Sequence, residues 1–303
     1  MMIENKIIEI LKKKKALTGK ELLEESRIDE LSLWRACNKS QEIMLRVVGR
    51  RYLRFDRAVK EYARLSPSIK REFLTYTVCG LKENSEEIEE KAKDLDQKIK
   101  ETSEEKYNLA KKIISGIVKG NEHKEEIEKN ACFIIAGDIV YNMAHLEPRP
   151  EKSTGELVRG SDLDIVIITE ETLTKKIVEE LDSRIYKEKY RYLTDPDFRE
   201  EIDYVIKYIS KIKEQLNFDS FERMIASKLL YEGKLLYGSQ RMFENIKKML
   251  FERKIDDKLA ELEKKAKINR LEATSCLLES GDKPLNPEWM NLFYTHEETE
   301  EIF

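Results

Sequence analysis

The sequence predicts an α+β chain that is predominantly helical, with a small mixed sheet in its second half. Three observations predict it. Apolar residues recur at helical spacing along most of the 303 residues, in a chain that is 40% hydrophobic and 38% charged. Short β-like runs interrupt this pattern at ACFIIAG, SDLDIVIIT and REEIDYVIKYI. The four cysteines, Cys37, Cys79, Cys132 and Cys276, are scattered without C-x-x-C spacing, so neither zinc nor a disulfide framework organises the fold. No apolar run approaches membrane-spanning length, and at the N-terminus the charges follow the apolar residues, the wrong order for a signal peptide. The expectation is a cytoplasmic chain with reduced thiols and no membrane partner.

Residues 1–64 read as three helices and a hairpin. NKIIEILKKKK carries one apolar stripe ending in lysines, and TGKELLEES opens with Thr18 and Glu21 at capping-box spacing. RIDELSLWRACNKS supplies a third short helix. IMLRVVGRRYLRFD reads as two β runs turned at Gly49-Arg50. This order resembles a winged helix-turn-helix domain, whose wing would carry Arg46, Arg50, Arg51 and Arg54 toward nucleic-acid phosphates. Residues 1–60 hold fifteen Lys/Arg against nine Asp/Glu, a balance of +6 that leaves −10 for the rest of a chain of net charge −4. Such asymmetry suggests a local nucleic-acid surface; a protein-interaction module and a merely solvated basic face are the alternatives.

Residues 65–129 read as a helical linker. In LSPSIKREFLTYTVCGL, Ser66 and Pro67 suit a helix start, with the helix running toward Gly80. Beyond Lys82, steps of four and three join Ile88, Ala92, Leu95, Ile99, Thr102, Lys106, Leu109 and Ile113 into a helix–helix seam with two polar breaks. A long helix or helical hairpin follows, and it is a candidate dimer surface. Within residues 130–216, ACFIIAG reads as a strand, DIVYNMAHL as a helix, EPRPEKSTGELVRG as a loop, SDLDIVIIT as a strand and EETLTKKIVEELDSRIYKEKYRYL as an amphipathic helix. REEIDYVIKYI satisfies strand and helix spacing alike. Residues 217–303 read as helical, ending in an irregular acidic tail.

Chemistry concentrates at RGSDLDIVII. On a strand, Asp162 and Asp164 share one face while Leu163, Ile165 and Ile167 take the other. Paired carboxylates at a buried strand are costly unless a cation joins them, and a hard, oxygen-seeking ion such as Mg2+ fits. The acids precede the apolar run, with Gly160-Ser161 ahead of them and a glycine-ended strand, CFIIAGD, upstream. That arrangement, over residues 130–240, resembles the DNA polymerase β-like nucleotidyltransferase superfamily. The resemblance implies two Mg2+ or Mn2+ ions held by Asp162 and Asp164 with a third acid, for which Asp203 fits and Glu201 is a substitute. It implies an NTP cradled at Gly137 and Asp138, with Ser161, Arg159, Arg149, Lys152 and Lys228 as candidate contacts. Asp138 stands where the family has serine, and the interval to Asp162 is longer than usual. His145 reads as a helix-end residue outside the chemistry.

The resulting expectation is a metal-dependent nucleotidyltransferase that moves a nucleoside monophosphate from an NTP to a hydroxyl, releasing pyrophosphate. The acceptor would be a nucleic acid such as RNA, or a protein. The alternative is a winged-helix DNA-binding regulator with an inactive, nucleotide-sensing domain of the same type.

Overall fold

The protein is described by a computed structural model covering residues 2–151, 154–280 and 286–294. It is α+β and mostly helical, and among these residues no helix is long and apolar enough to cross a membrane. Among the described residues two compact units form, one from residues 2–98, 260–280 and 286–294 and the other from 99–151 and 154–259. The last helices of the chain return to the N-terminal core.

In the first unit, α1 (Met2–Lys14), β1 (Ala16–Thr18), α2 (Gly19–Ser26), α3 (Glu30–Lys39) and β2 (Ile43–Val47) follow in order. Thr18 caps α2 in a full capping box: its Oγ1 accepts from the Glu21 amide at 3.2 Å, and its own amide donates to Glu21 Oε2 at 2.7 Å. Ile7, Leu11, Leu22, Leu33 and Cys37 are buried together. The chain continues through β3 (Tyr52–Phe55), β4 (Ala63–Ser66), α4 (Ile69–Tyr76) and β5 (Thr77–Leu81).

Here the structure corrects two expectations. The arginine-rich stretch is not a hairpin, because β2 pairs with β5 and β3 with β4. β5 lies between β1 and β2, all antiparallel, so the apparent turn at Gly49-Arg50 passes the chain from one sheet to another. The helix after Pro67 begins at Ile69, capped by Ser68 rather than Ser66, and it stops at Tyr76. Residues 77–81 are buried throughout and bonded on both sides, and that tertiary pairing favours a strand.

A single helix, α5 (Ser85–Lys119), contributes to both units. Of its seam, Ile88, Ala92, Ile99, Thr102, Lys106 and Ile113 are all buried, so both polar breaks face inward. The second unit continues with α6 (Lys124–Asn130), β6 (Ala131–Ile135), a 3₁₀ turn (Gly137–Tyr141), β7 (Pro148–Pro150), β8 (Leu157–Arg159), β9 (Leu163–Thr169), α7 (Lys175–Thr194) and β10 (Ile202–Tyr208). DIVYNMAHL is therefore not a helix: after one 3₁₀ turn Asn142 takes a left-handed conformation and ends it. The following loop carries the paired strands β7 and β8.

α8 (Ile209–Gln215), α9 (Phe221–Glu232), β11 (Lys234–Gly238) and α10 (Gln240–Glu252) follow. KLLYG, read as helical, is a strand on the free edge of β6. The sheet order is β10-β9-β6-β11, with β9 and β10 parallel and the other pairs antiparallel. α7 packs Ile177, Leu181 and Ile185 against Leu163, Ile165 and Ile167 in the core of this unit. α11 (Ile255–Glu279) then leads back, and α12 (Pro287–Phe293) joins the first core, where Phe293 meets Trp34 edge-on at 5.5 Å. Part of the tail expected to be irregular is thus helical; its remainder at 281–285 and 295–303 lies outside the described residues. Replacing Thr18 with Ala removes the α2 cap and is expected to lower unfolding stability by about 1 kcal/mol in chemical denaturation; an unchanged midpoint would show the cap contributes nothing.

Candidate metal centre

The parallel pairing of β9 and β10 sets Asp203 directly across from Asp164. REEIDYVIKYI is a strand because β9 offers it a bonded neighbour, which decides between its two spacings. Asp162 stands just before β9. One carboxylate oxygen from each of Asp162, Asp164 and Asp203 lies within 4.8 Å of the other two. All three acids are only partly exposed. Like charges this close repel, and a cation among them relieves the repulsion. The donor set is all oxygen, which suits a hard divalent ion.

Gly137 forms the wall beside this cluster. It has φ +72°, and a Cβ there would come within 2.2 Å of Asp164 Oδ2. The Ala136 amide donates to the Asp164 carbonyl at 3.0 Å, tying the end of β6 to the acid strand. The Gly137 amide donates to Glu232 Oε1 at 3.1 Å, and the Tyr141 hydroxyl donates to Glu232 Oε2 at 2.6 Å. Lys228, one turn earlier on α9, pairs with Glu232 at 3.0 Å, with both side chains almost wholly buried. Lys247 fixes the end of this helix by donating to the carbonyls of Leu230, Tyr231 and Gly233 at 2.6–2.8 Å. Lys228 thus acts on the glycine loop through Glu232 rather than as a solvated phosphate clamp.

Asp138 points to the strand opening. Its Oδ2 accepts from the Ser161 hydroxyl at 2.8 Å, and the Ser161 Oγ accepts from the His145 amide at 3.2 Å. Gly160, at φ +60°, lies so close to the His145 carbonyl that a Cβ would sit 1.9 Å from that oxygen. His145 is buried in this loop contact, not at a helix end. Arg149 reaches in from β7. Its Nε donates to the Gly160 carbonyl at 2.8 Å, and its Nη2 lies 2.7 Å from Glu201 and 3.5 Å from Asp162. Lys189 of α7 pairs with Asp203 at 2.8 Å. Arg159 is exposed on β8, and Lys152 lies outside the described residues.

The N-terminal arginines are not gathered into one wing. Arg46 pairs with Glu89 at 3.0 Å, and Arg51 pairs with Glu72, while Arg50 lies between strands and Arg54 on β3. Sequence reasoning had no sign of Glu232 or Lys189 at the site, because each lies on a segment that reads as ordinary helix surface, and Glu200 went unnoticed beside Glu201 because its partner Lys106 is remote in the chain. Lys106, the second break in the seam, was the one available signal.

No protein-family model matches the chain, and neither a curated protein nor a solved structure does.

Burial pushes the Glu201 carboxyl up to about 7, against the pull of Arg149 and with a further push from Asp162 and Asp203. Between its ordinary 4.5 and about 7 the folded protein holds a proton that the unfolded chain has lost. Glu201 therefore favours folding most below that window, and its contribution is lost as pH rises through it. In chelator, the melting temperature of Glu201→Gln is expected to decline less between pH 4.5 and 7 than that of the unmodified protein; equal slopes would contradict the assignment.

Proposed function

We propose that the second unit is a metal-dependent nucleotidyltransferase domain, transferring a nucleoside monophosphate from an NTP to a hydroxyl. The observation that carries this reading is the convergence of Asp162, Asp164 and Asp203 within 4.8 Å at the openings of two parallel strands, beside positive-φ Gly137. Asp162 and Asp164, with Asp203, would hold Mg2+ or Mn2+, which when bound neutralises charge on the transferring phosphate. The acceptor oxygen forms a bond to the α-phosphorus, the bond from that phosphorus to the bridging oxygen breaks, and pyrophosphate leaves. Asp203, held through Oδ1 by Lys189, is the acid proposed to take the acceptor's proton. Gly137 keeps the space beside Asp164 clear of any side chain.

The first unit's three helices and three-stranded antiparallel sheet support a winged-helix reading, with residues 48–76 inserted between β2 and β5. Its α3 is held by the C-terminal segment: Arg35 donates to the Leu277 carbonyl at 2.6 Å and to the Ser280 hydroxyl at 2.9 Å. That tether favours a protein-facing role for this unit over insertion of α3 into a DNA groove. A protein acceptor fits that role, with a nucleic acid such as RNA as the other acceptor of this reading.

A second reading has its own observation. Asp138 and Glu232 place acids around the glycine loop, where an NTP's phosphates would bring further negative charge, and this favours a nucleotide sensor without turnover. Magnesium-dependent thermal stabilisation by NTPs without pyrophosphate release would support the sensor. Incubation with each labelled NTP, Mg2+ or Mn2+ and cell extract tests the enzyme. Label is expected to enter one macromolecule, and the Asp162→Asn/Asp164→Asn double variant should bring that labelling down to background. Undiminished labelling in the double variant would remove these acids from the reaction.

A further inference from the structure

Lys106 is a lysine at a buried seam position of α5, only 2% exposed. Its ammonium donates to the Arg159 carbonyl at 2.8 Å and to Glu200 Oε2 at 2.6 Å. Arg159 and Glu200 belong to the two segments that carry the acids, each three residues ahead of one of them: Arg159 before Asp162, and Glu200 before Asp203. The two segments are also tied directly, the Arg159 amide donating to the Arg199 carbonyl at 2.8 Å and the Leu163 amide to the Glu201 carbonyl at 2.9 Å. From that point β9 and β10 run in register. Lys106 therefore sits at the junction where the two acid-bearing strands enter the sheet, and one ammonium spans both.

Two neighbours on the same helix fasten other walls of the site. The Ser103 hydroxyl accepts from the Ala144 amide at 3.0 Å, holding the loop that leads to His145 and Ser161. The Tyr107 hydroxyl donates to the Leu235 carbonyl at 3.1 Å, on the strand that follows Glu232.

Stability alone is a poor reason for a lysine here. A buried ion pair loses hydration that its attraction only partly restores, and well-packed apolar residues of similar size are often as stable or more so. The rest of the seam shows what the helix would otherwise use: Ile99 and Ile113, both buried, each about two turns away. Burial raises the Glu200 carboxyl from its ordinary value, and Lys106 works against that rise. What an isoleucine cannot supply is a fixed donor that holds a main-chain carbonyl of one segment and a carboxylate of the other at set distances. Groups behind metal-binding side chains commonly tune affinity by tenfold or more without touching the ion.

We propose that Lys106 is a positioning residue for the metal centre, pinning the Arg159 and Glu200 segments so that Asp162 and Asp164 meet Asp203 at ion-binding distance. This rests on the metal-site reading given above.

The test compares Mn2+ affinity, read by electron paramagnetic resonance of free Mn2+, with thermal midpoint in the full chain. The key variant is Lys106→Met/Glu200→Met, which removes the buried charges together and refills the space with apolar side chains. It is expected to melt near the unmodified protein yet bind Mn2+ about tenfold more weakly or worse. A second variant, Lys106→Gln/Glu200→Gln, keeps a neutral hydrogen-bonded pair and covers the case in which the apolar variant does not fold. It should fall between the two in affinity. Native-like melting with native Mn2+ affinity in either variant would overturn the pin and leave Lys106 a packing residue. Failure of the unmodified protein to bind Mn2+ more tightly than Asp162→Asn/Asp164→Asn would overturn the metal centre itself, and the pin with it.

Discussion

The register between β9 and β10 is the constraint on which the site depends. Side chains alternate along a strand, so a slip of one residue would turn Asp203 to the face packed by α7 and bring Ile202 or Tyr204 opposite Asp164. Seven consecutive pairs hold the register, from Ile202 with Leu163 to Tyr208 with Thr169. On the core side Leu163, Ile165 and Ile167 lock it by burial against α7. The carboxylates work against it, because three of them near one another repel. Arg149 and Lys189 oppose that repulsion directly, while Lys106 acts one step back, on the segments that deliver the acids.

Behind the glycine loop the polar arrangement is equally committed. A carboxylate as buried as Glu232 is costly unless its oxygens are engaged, and here Lys228, Tyr141 and the Gly137 amide all reach it. This network links α9 to the loop that touches Asp164, so that helix takes part in shaping the acid cluster. Ser161 does similar work at the strand opening, accepting from the His145 amide while donating to Asp138. The acid at position 138 has a local role as that acceptor.

How far residues could be read ahead of the structure follows from where their partners lie. Asp162 and Asp164 stood out because the apolar run behind them is local, and Thr18 because a capping box spans four residues. Asp203 was a candidate with two possible conformations, and only pairing with β9, some forty residues earlier in the chain, makes it a strand residue. The expected hairpin failed for the same reason. Two β runs beside a glycine suggest a hairpin, yet β2's partner is β5, beyond the β3–β4 pair and α4. KLLYG has helix-compatible spacing and becomes β11 because the edge of β6 is open to it. Lys106 was visible only as a break in a seam, since its meaning depends on Arg159 and Glu200, fifty to ninety residues away.

Asp162, Asp164 and Asp203 are proposed to form a divalent-cation site for phosphate chemistry. Anomalous diffraction from crystals grown with Mn2+ and a non-hydrolysable NTP analogue tests it most directly. The account predicts a manganese peak about 2.1 Å from oxygens of Asp162 and Asp164, with the analogue's phosphates beside Gly137. Crystals with manganese elsewhere and none among these three aspartates would contradict it.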